Sequence, residues 1–198
     1  NMAILGALTT PGTDKPIVIL DMGGGSTDAA ILTKDNNISA VHLSGAGNMV
    51  SMIINTELGL NDFKLAEKIK KTPLAKVESM FNIRHEDGSV HFFEEPLPSK
   101  LFSRVVSLEG DQLTPISTDH SLEKIRQVRR DAKRDVFVRN ALRSLKRIIP
   151  TGNIRDIEFV VMVGGSALDF EIPELISNQL ADYGVVAGRG NIRANMGP

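Results

Sequence analysis

The chain has 198 residues, 41% of them hydrophobic and 24% charged, with a formal net charge of −1 and no cysteine. That length suits one globular domain or two small subdomains with a sizeable core, and the near-neutral balance supplies no global attraction to nucleic acid or to an anionic membrane. The lack of cysteine excludes disulfides, thiolate metal sites and a cysteine nucleophile, and no apolar run approaches the length of a membrane span.

The opening residues do not read as a signal peptide. Neither Asn1-Met2-Ala3 nor Met196-Gly197-Pro198 closes an element, so a piece of a longer protein is expected. Residues 17–20, an apolar β-branched run between Pro16 and a glycine triplet, predict a buried strand. Residues 29–33 and 38–43 follow as a hairpin, with Lys34-Asp35-Asn36-Asn37 as its turn. Val50, Ile53, Ile54 and Leu58 recur at helical spacing, with Gly59 as the C-terminal stop. Asp62 caps a second helix carrying Leu65 and Ile69 on one face, with Pro73 beyond its end.

Residues 74–115 change character to short alternating segments such as Val90-His91-Phe92-Phe93, broken by Asp87-Gly88, Pro96 and Pro98. They read as a smaller α+β subdomain, which places the main subdomain at 1–60 and 121–198 and an insert at 61–120. A long helix is predicted over 121–149 from the stripe Ile125, Val128, Ala132, Val136, Leu142, Leu145 and Ile149, ended by Pro150-Thr151-Gly152. Residues 159–163, wholly apolar, predict a central strand that runs into Gly164-Gly165-Ser166. A last helix carries Ile172, Leu175, Ile176 and Leu180, with Pro173 in its first turn.

The chemistry concentrates in Asp21-Met22-Gly23-Gly24-Gly25-Ser26-Thr27-Asp28, between a buried strand and the next strand of a hairpin. Consecutive glycines let backbone N–H groups converge on an anion, and Ser26 and Thr27 add hydroxyl donors. Asp21, at a strand end, is suited to Mg²⁺ or to orienting a water. The alternative is a glycine-rich hairpin turn with a solvated acid at each end. No lysine follows the glycines and a strand follows where a helix would be required, so neither the Walker nor the Rossmann pattern applies.

The Asp-x-Gly-Gly-Gly-Ser/Thr-x-Asp pattern on strand-turn-strand resembles the second phosphate motif of the actin/Hsp70/sugar kinase superfamily. The resemblance implies an α/β actin-like, ribonuclease H-like lobe, with a mixed sheet flanked by helices. It gives Asp21 a role at Mg²⁺ and water, and gives Gly23, Gly24, Gly25, Ser26 and Thr27 a role in holding the β and γ phosphates of ATP or ADP. Val163-Gly164-Gly165-Ser166, downstream as the superfamily requires, resembles its adenosine motif, against a plain strand-to-helix turn as the alternative. Glu67 and Lys70, three apart on one helix face, form a surface ion pair on the plain reading; Hsp70-like relatives place such a pair against the adenosine.

Other candidates are weaker. The 121–149 helix holds ten Lys and Arg residues, but Glu123, Asp131 and Asp135 among them and an aromatic content of 5% favour a solvated or partner-facing helix over nucleic-acid binding. Arg84-His85-Glu86-Asp87 should point to opposite faces of an extended segment, and His42, His91 and His120 are isolated, so no zinc site is expected. Gly188-Arg189-Gly190-Asn191-Ile192-Arg193 reads as an exposed basic loop.

Ser44-Gly45-Ala46-Gly47-Asn48-Met49-Val50, Thr56-Glu57-Leu58-Gly59-Leu60, Ile83-Arg84-His85-Glu86-Asp87-Gly88 and Pro150-Thr151-Gly152-Asn153-Ile154-Arg155 together resemble the large subunit of diol and glycerol dehydratase reactivating factors. Pro73-Leu74-Ala75-Lys76-Val77-Glu78-Ser79 adds to the likeness. The resemblance implies a cytoplasmic, chaperone-like ATPase, with a bacterial microcompartment as its setting, that releases damaged cobalamin from an adenosylcobalamin-dependent dehydratase. It also implies a small subunit and the dehydratase as partners, without a cobalamin site here. Superfamily sites lie between two lobes, and the first lobe's phosphate motif has no counterpart before Asp21, so a half-site that needs the N-terminal lobe is expected. A small-molecule kinase lobe of the same superfold and a non-hydrolytic interaction module are the competing readings.

Overall fold

A computed structural model of the chain describes residues 16–32 and 38–190. The turn expected at 34–37, the Asn191-Ile192-Arg193 part of the basic loop and both chain ends lie outside the described residues. In chain order the first elements are β1 (Ile17–Met22), β2 (Ser26–Leu32), β3 (Ile38–Ser44), α1 (Gly47–Glu57), α2 (Phe63–Lys71), β4 (Leu74–Ser79) and β5 (Asn82–His85). There follow β6 (Val90–Phe92), β7 (Val105–Glu109), β8 (Gln112–Pro115), α3 (Leu122–Lys133), α4 (Arg139–Ile148), β9 (Phe159–Val163), α5 (Ile172–Ala181) and β10 (Val186–Arg189). They fall into two units, residues 1–49 with 133–198 and residues 50–132.

The first unit holds a five-stranded sheet in the order β10-β9-β1-β2-β3. β1, β2 and β3 run antiparallel in sequence, while β9 pairs parallel to β1 and β10 parallel to β9. Alternation sends Val18, Leu20, Met22, Ala29, Ile31, Leu43, Val160 and Met162 into the core. Ala141, Ser144, Leu145 and Ile148 of α4, three and four apart, form the face that α4 lays against β2 and β3. β9 is interior rather than central, since β1 holds the middle of the sheet. An apolar run reports that both flanks are covered by strands, not the rank of the strand.

Two expectations change. The basic loop begins as strand: Val186–Arg189 pairs with Phe159–Met162, and its exposed edge position, with Gly188 inside, gives it the composition of a turn. The 121–149 helix is helical over its length, but Arg134–Val138 is a π turn, closed by Arg139 N–H donating to Arg134 O. One extra residue in a turn is invisible to a periodicity read over a long window.

The second unit holds an antiparallel sheet in the order β6-β5-β4-β7-β8. Its core is Ala75, Val77, Ile83, Leu101 and Val106, with Phe93, Leu97, Leu108 and Leu113 against it. Asp62 accepts from the N–H groups of Lys64 and Leu65 at the start of α2, as its position predicts. Gly59 takes φ 57 just past α1, a left-handed stop that favours glycine.

Candidate functional site

The glycine hairpin is held by its carbonyls, which leaves amides for a ligand. Gly23 N–H donates to Ser26 O at 3.0 Å and closes the turn between β1 and β2. Gly23, Gly24 and Gly25 carbonyls accept from Gly47, Asn48 and Gly45 N–H at 3.3, 2.8 and 3.0 Å, so the N-terminus of α1 caps onto the hairpin. The Gly24 and Gly25 N–H groups donate to no partner among the described residues, and both glycines are exposed. These two neighbouring amides, rather than those of the α1 N-terminus, are the backbone donors that could meet an anion.

The side chains divide by face. Asp21, Asp28 and His42 lie in register across β1, β2 and β3, and Asp28 is bonded to His42 Nδ1. Ser26 Oγ donates to Asp28 Oδ2 at 3.2 Å, whereas the Asp21 carboxylate takes no hydrogen bond or ion pair among the described residues. Thr27, expected to face a phosphate, is fully buried and donates its hydroxyl to Gly45 O at 3.3 Å. The period-2 alternation of β2 puts it on the core side, where it shapes the loop from behind.

The second turn meets the first. β9 runs beside β1, pairing Val163 with Asp21, and Gly164 follows with φ 87. A Cβ on Gly164 would lie 2.6 Å from Met22 O and closer still to Asp21 Oδ1, so only glycine fits there. Gly165 begins a 3₁₀ turn, Gly165–Leu168, and nothing lies within 4 Å of where its Cβ would be. Ser166 Oγ donates to Gly23 O at 3.1 Å and ties the two turns together. The structure thus brings together Asp21, Gly23, Gly24, Gly25, Ser26, Gly164, Gly165 and Ser166 at one end of the first unit's sheet.

Glu67 and Lys70 belong to the second unit and pair with each other at 2.5 Å. Glu67 also accepts from Ser51 and pairs with Lys71 at 2.8 Å. Burial raises its pKa, but hydrogen bonds from Lys70, Lys71 and Ser51 outweigh that and lower it from 4.5 to about 2. A depressed carboxyl adds stability that is complete above 4.5 and is lost as pH falls towards 2. Urea denaturation across that range should show a loss of at most about 3 kcal/mol from this group, which solvent partly screens, and Glu67→Gln should flatten it.

The sequence reading missed three polar anchors. Arg129 and Lys133, read as part of a solvated helix, are fully buried. Arg129 pairs bidentately with Glu86 at 2.8 and 2.7 Å, and Lys133 with Asp169 and Glu171 at 2.8 and 2.9 Å. Their helical phase was the available signal, since 129 and 133 follow Ile125 at steps of four. Asn140, also buried, donates to Gly45 O at 2.7 Å. Arg84, by contrast, goes to Glu78 and Asp87 to Ser89, so the 84–87 cluster has no common centre.

Comparison with known proteins places the chain in a family. The model of the diol dehydratase reactivase ATPase-like domain matches residues 1–198. The chain belongs to this family. It is 62% identical over 196 residues to the diol dehydratase-reactivating factor large subunit of Klebsiella michiganensis, covering 99% of this chain and 32% of that one. The propanediol dehydratase-reactivating factor large subunit of Salmonella typhimurium matches at the same identity and coverage. The chain therefore spans about a third of the length of these curated relatives. A solved glycerol dehydratase reactivase superposes with TM-score 0.91 at 62% identity, over 97% of this chain and 32% of that one. MreB 5 of Spiroplasma citri superposes with TM-score 0.53 at 20% identity, over 96% and 52%, and shows the actin-like fold.

Proposed function

We propose that this chain is the adenine-nucleotide-binding lobe of a chaperone-like ATPase that reactivates an adenosylcobalamin-dependent diol or glycerol dehydratase by releasing damaged cobalamin. The observation that carries the nucleotide reading is the joining of two glycine turns, with Gly164 packed on Asp21 and Met22 and Ser166 bonded to Gly23. In this reading the Gly24 and Gly25 amides and Ser26 hold phosphate, and the bare Gly164-Gly165 backbone receives the adenosine. The cradle fits the group, because the Gly24 and Gly25 amides donate to no partner among the described residues and nothing lies within 4 Å of where a Gly25 Cβ would be, which leaves the loop open to a ligand.

Asp21 would hold Mg²⁺, which usually takes one or two protein carboxylates plus phosphate oxygens and water. Bound there, the ion would offset the charge of the β and γ phosphates. Glu67 and Lys70 are proposed as adenosine contacts, on the strength of the family resemblance. The named relatives are large subunits of reactivating factors, which supports a small subunit and the dehydratase as partners. No helix among the described residues is long and apolar enough to cross a membrane. The cytoplasmic place of action and the microcompartment setting are proposed from the family resemblance.

Calorimetry with Mg-ADP and Mg-ATP, beside a turnover assay, tests this. The 198-residue chain should bind both weakly and hydrolyse ATP negligibly, and Asp21→Ala should remove the Mg²⁺ dependence of binding. Turnover abolished by Asp21→Ala would show instead a complete active site in this chain. An unchanged melting temperature at every nucleotide concentration would favour a non-hydrolytic interaction module, because a ligand of the native state must stabilise it.

A further inference from the structure

We infer that the helical run 122–148 braces the nucleotide site at two points: Lys133 positions the Gly164–Ser166 turn and Asn140 positions the glycine hairpin. The inference rests on the nucleotide reading above and adds residues that do not touch the ligand.

Lys133 is fully buried, its ammonium between Asp169 and Glu171 and 4.3 Å from the Phe170 ring centroid. Burying a lysine with two carboxylates is costly, and an apolar side chain of the same length would fill the space more cheaply. What the ammonium adds is position. Asp169 Oδ1, which it holds, also accepts from Glu171 N–H at 2.9 Å and Ile172 N–H at 3.1 Å, at the start of α5. Asp169 N–H donates back to Ser166 O at 3.3 Å, closing the 3₁₀ turn whose Ser166 hydroxyl reaches Gly23. One carboxylate therefore sets the exit of the Gly164 turn, and Lys133 sets that carboxylate.

Asn140 acts on the other turn. Its amide donates to Gly45 O at 2.7 Å and Ser44 O at 3.3 Å, and Gly45, at φ 96, donates its N–H to Gly25 O. The side chain is thus one backbone hydrogen bond away from the phosphate cradle.

The π turn explains how one helix serves both. Lys133 and Asn140 are seven residues apart, about two α-turns, and would share one face of a regular helix. The π turn at Arg134–Val138, between them, sets Asn140 back by roughly 100°. Lys133 can then point at the segment after β9 while Asn140 points at the loop after β3.

The test separates the two halves of the ligand, in the full-length protein. Adenosine, Mg-tripolyphosphate and Mg-ADP are titrated against wild type, Lys133→Met, Lys133→Arg and Asn140→Ala, with melting temperature followed in parallel. Lys133→Met should weaken adenosine and ADP by about tenfold and leave tripolyphosphate within about twofold, with Lys133→Arg recovering most of the loss. Asn140→Ala should do the reverse, weakening tripolyphosphate and sparing adenosine. If Lys133→Met does not fold, the Lys133→Met/Asp169→Asn/Glu171→Gln variant, which leaves no charge in this cluster, takes its place with the same expected pattern. Parallel loss of both half-ligands, tracking melting temperature, or loss of neither, would overturn the brace. Failure of wild type to bind any of the three probes would instead sink the nucleotide reading, and the inference with it.

Discussion

Gly164→Ala is expected to lower stability by about 3 kcal/mol and to abolish measurable Mg-ADP binding, whereas Gly165→Ala should cost less than about 1 kcal/mol. The two glycines are adjacent in sequence and opposite in physical situation. Gly164 has φ 87, a region where a Cβ costs about 1–2 kcal/mol before any contact is counted. Its Cβ would also sit 2.6 Å from Met22 O and 2.9 Å from Met22 C. Those atoms are backbone of the central strand and cannot turn aside as a side-chain tip would. Relief requires β9 to move from β1, which strains the five-residue register from Ile17 against Phe159 to Asp21 against Val163. The same movement shifts Ser166 from Gly23 and opens the site. Denaturant titration and calorimetry on both variants check this; equal tolerance of Ala at 164 and 165 would remove the close approach as the basis of the site.

Arg129→Met is expected to destabilise the second unit by about 3–5 kcal/mol, the cost typical of stranding one partner of a buried ion pair. The guanidinium is fully buried, holds both oxygens of Glu86 and also donates to Thr72 O at 3.3 Å. Its removal leaves a carboxylate with 12% of its side-chain surface exposed and no cation where the guanidinium sat. The double variant Arg129→Met/Glu86→Leu should regain most of the loss, because an apolar pair of similar volume avoids desolvating charge. Urea denaturation of wild type, Arg129→Met, Glu86→Leu and the double variant supplies the cycle. A single variant as stable as wild type would place the pair among ion pairs that contribute nothing measurable.

The Gly164 turn was legible because backbone packed on a neighbouring strand tolerates no Cβ, a restriction written in residue type. The β1–β2–β3 meander and α2 were legible through short apolar runs bounded by turn residues and through capping, which are local; Asp62 does what its position predicts. β10 was not, since a four-residue exposed edge strand owes its pairing to β9 and carries no apolar alternation of its own. Charge misled at Arg129 and Lys133, where composition suggested solvent and the helical phase pointed inward.

By itself the sequence determined the two turns, the family likeness and most of the elements, since each depends on residues close together in the chain. Tertiary structure alone decided that Gly164 lies on Met22, that Thr27 faces the core, and that Lys133 and Asn140 reach different loops. Those facts join residues up to 142 positions apart, as Gly164 and Met22 are (164 − 22), and they follow from strand register and from one π turn. Neither leaves a periodic signal, because both are settled by which partners the backbone finds once the sheet has formed.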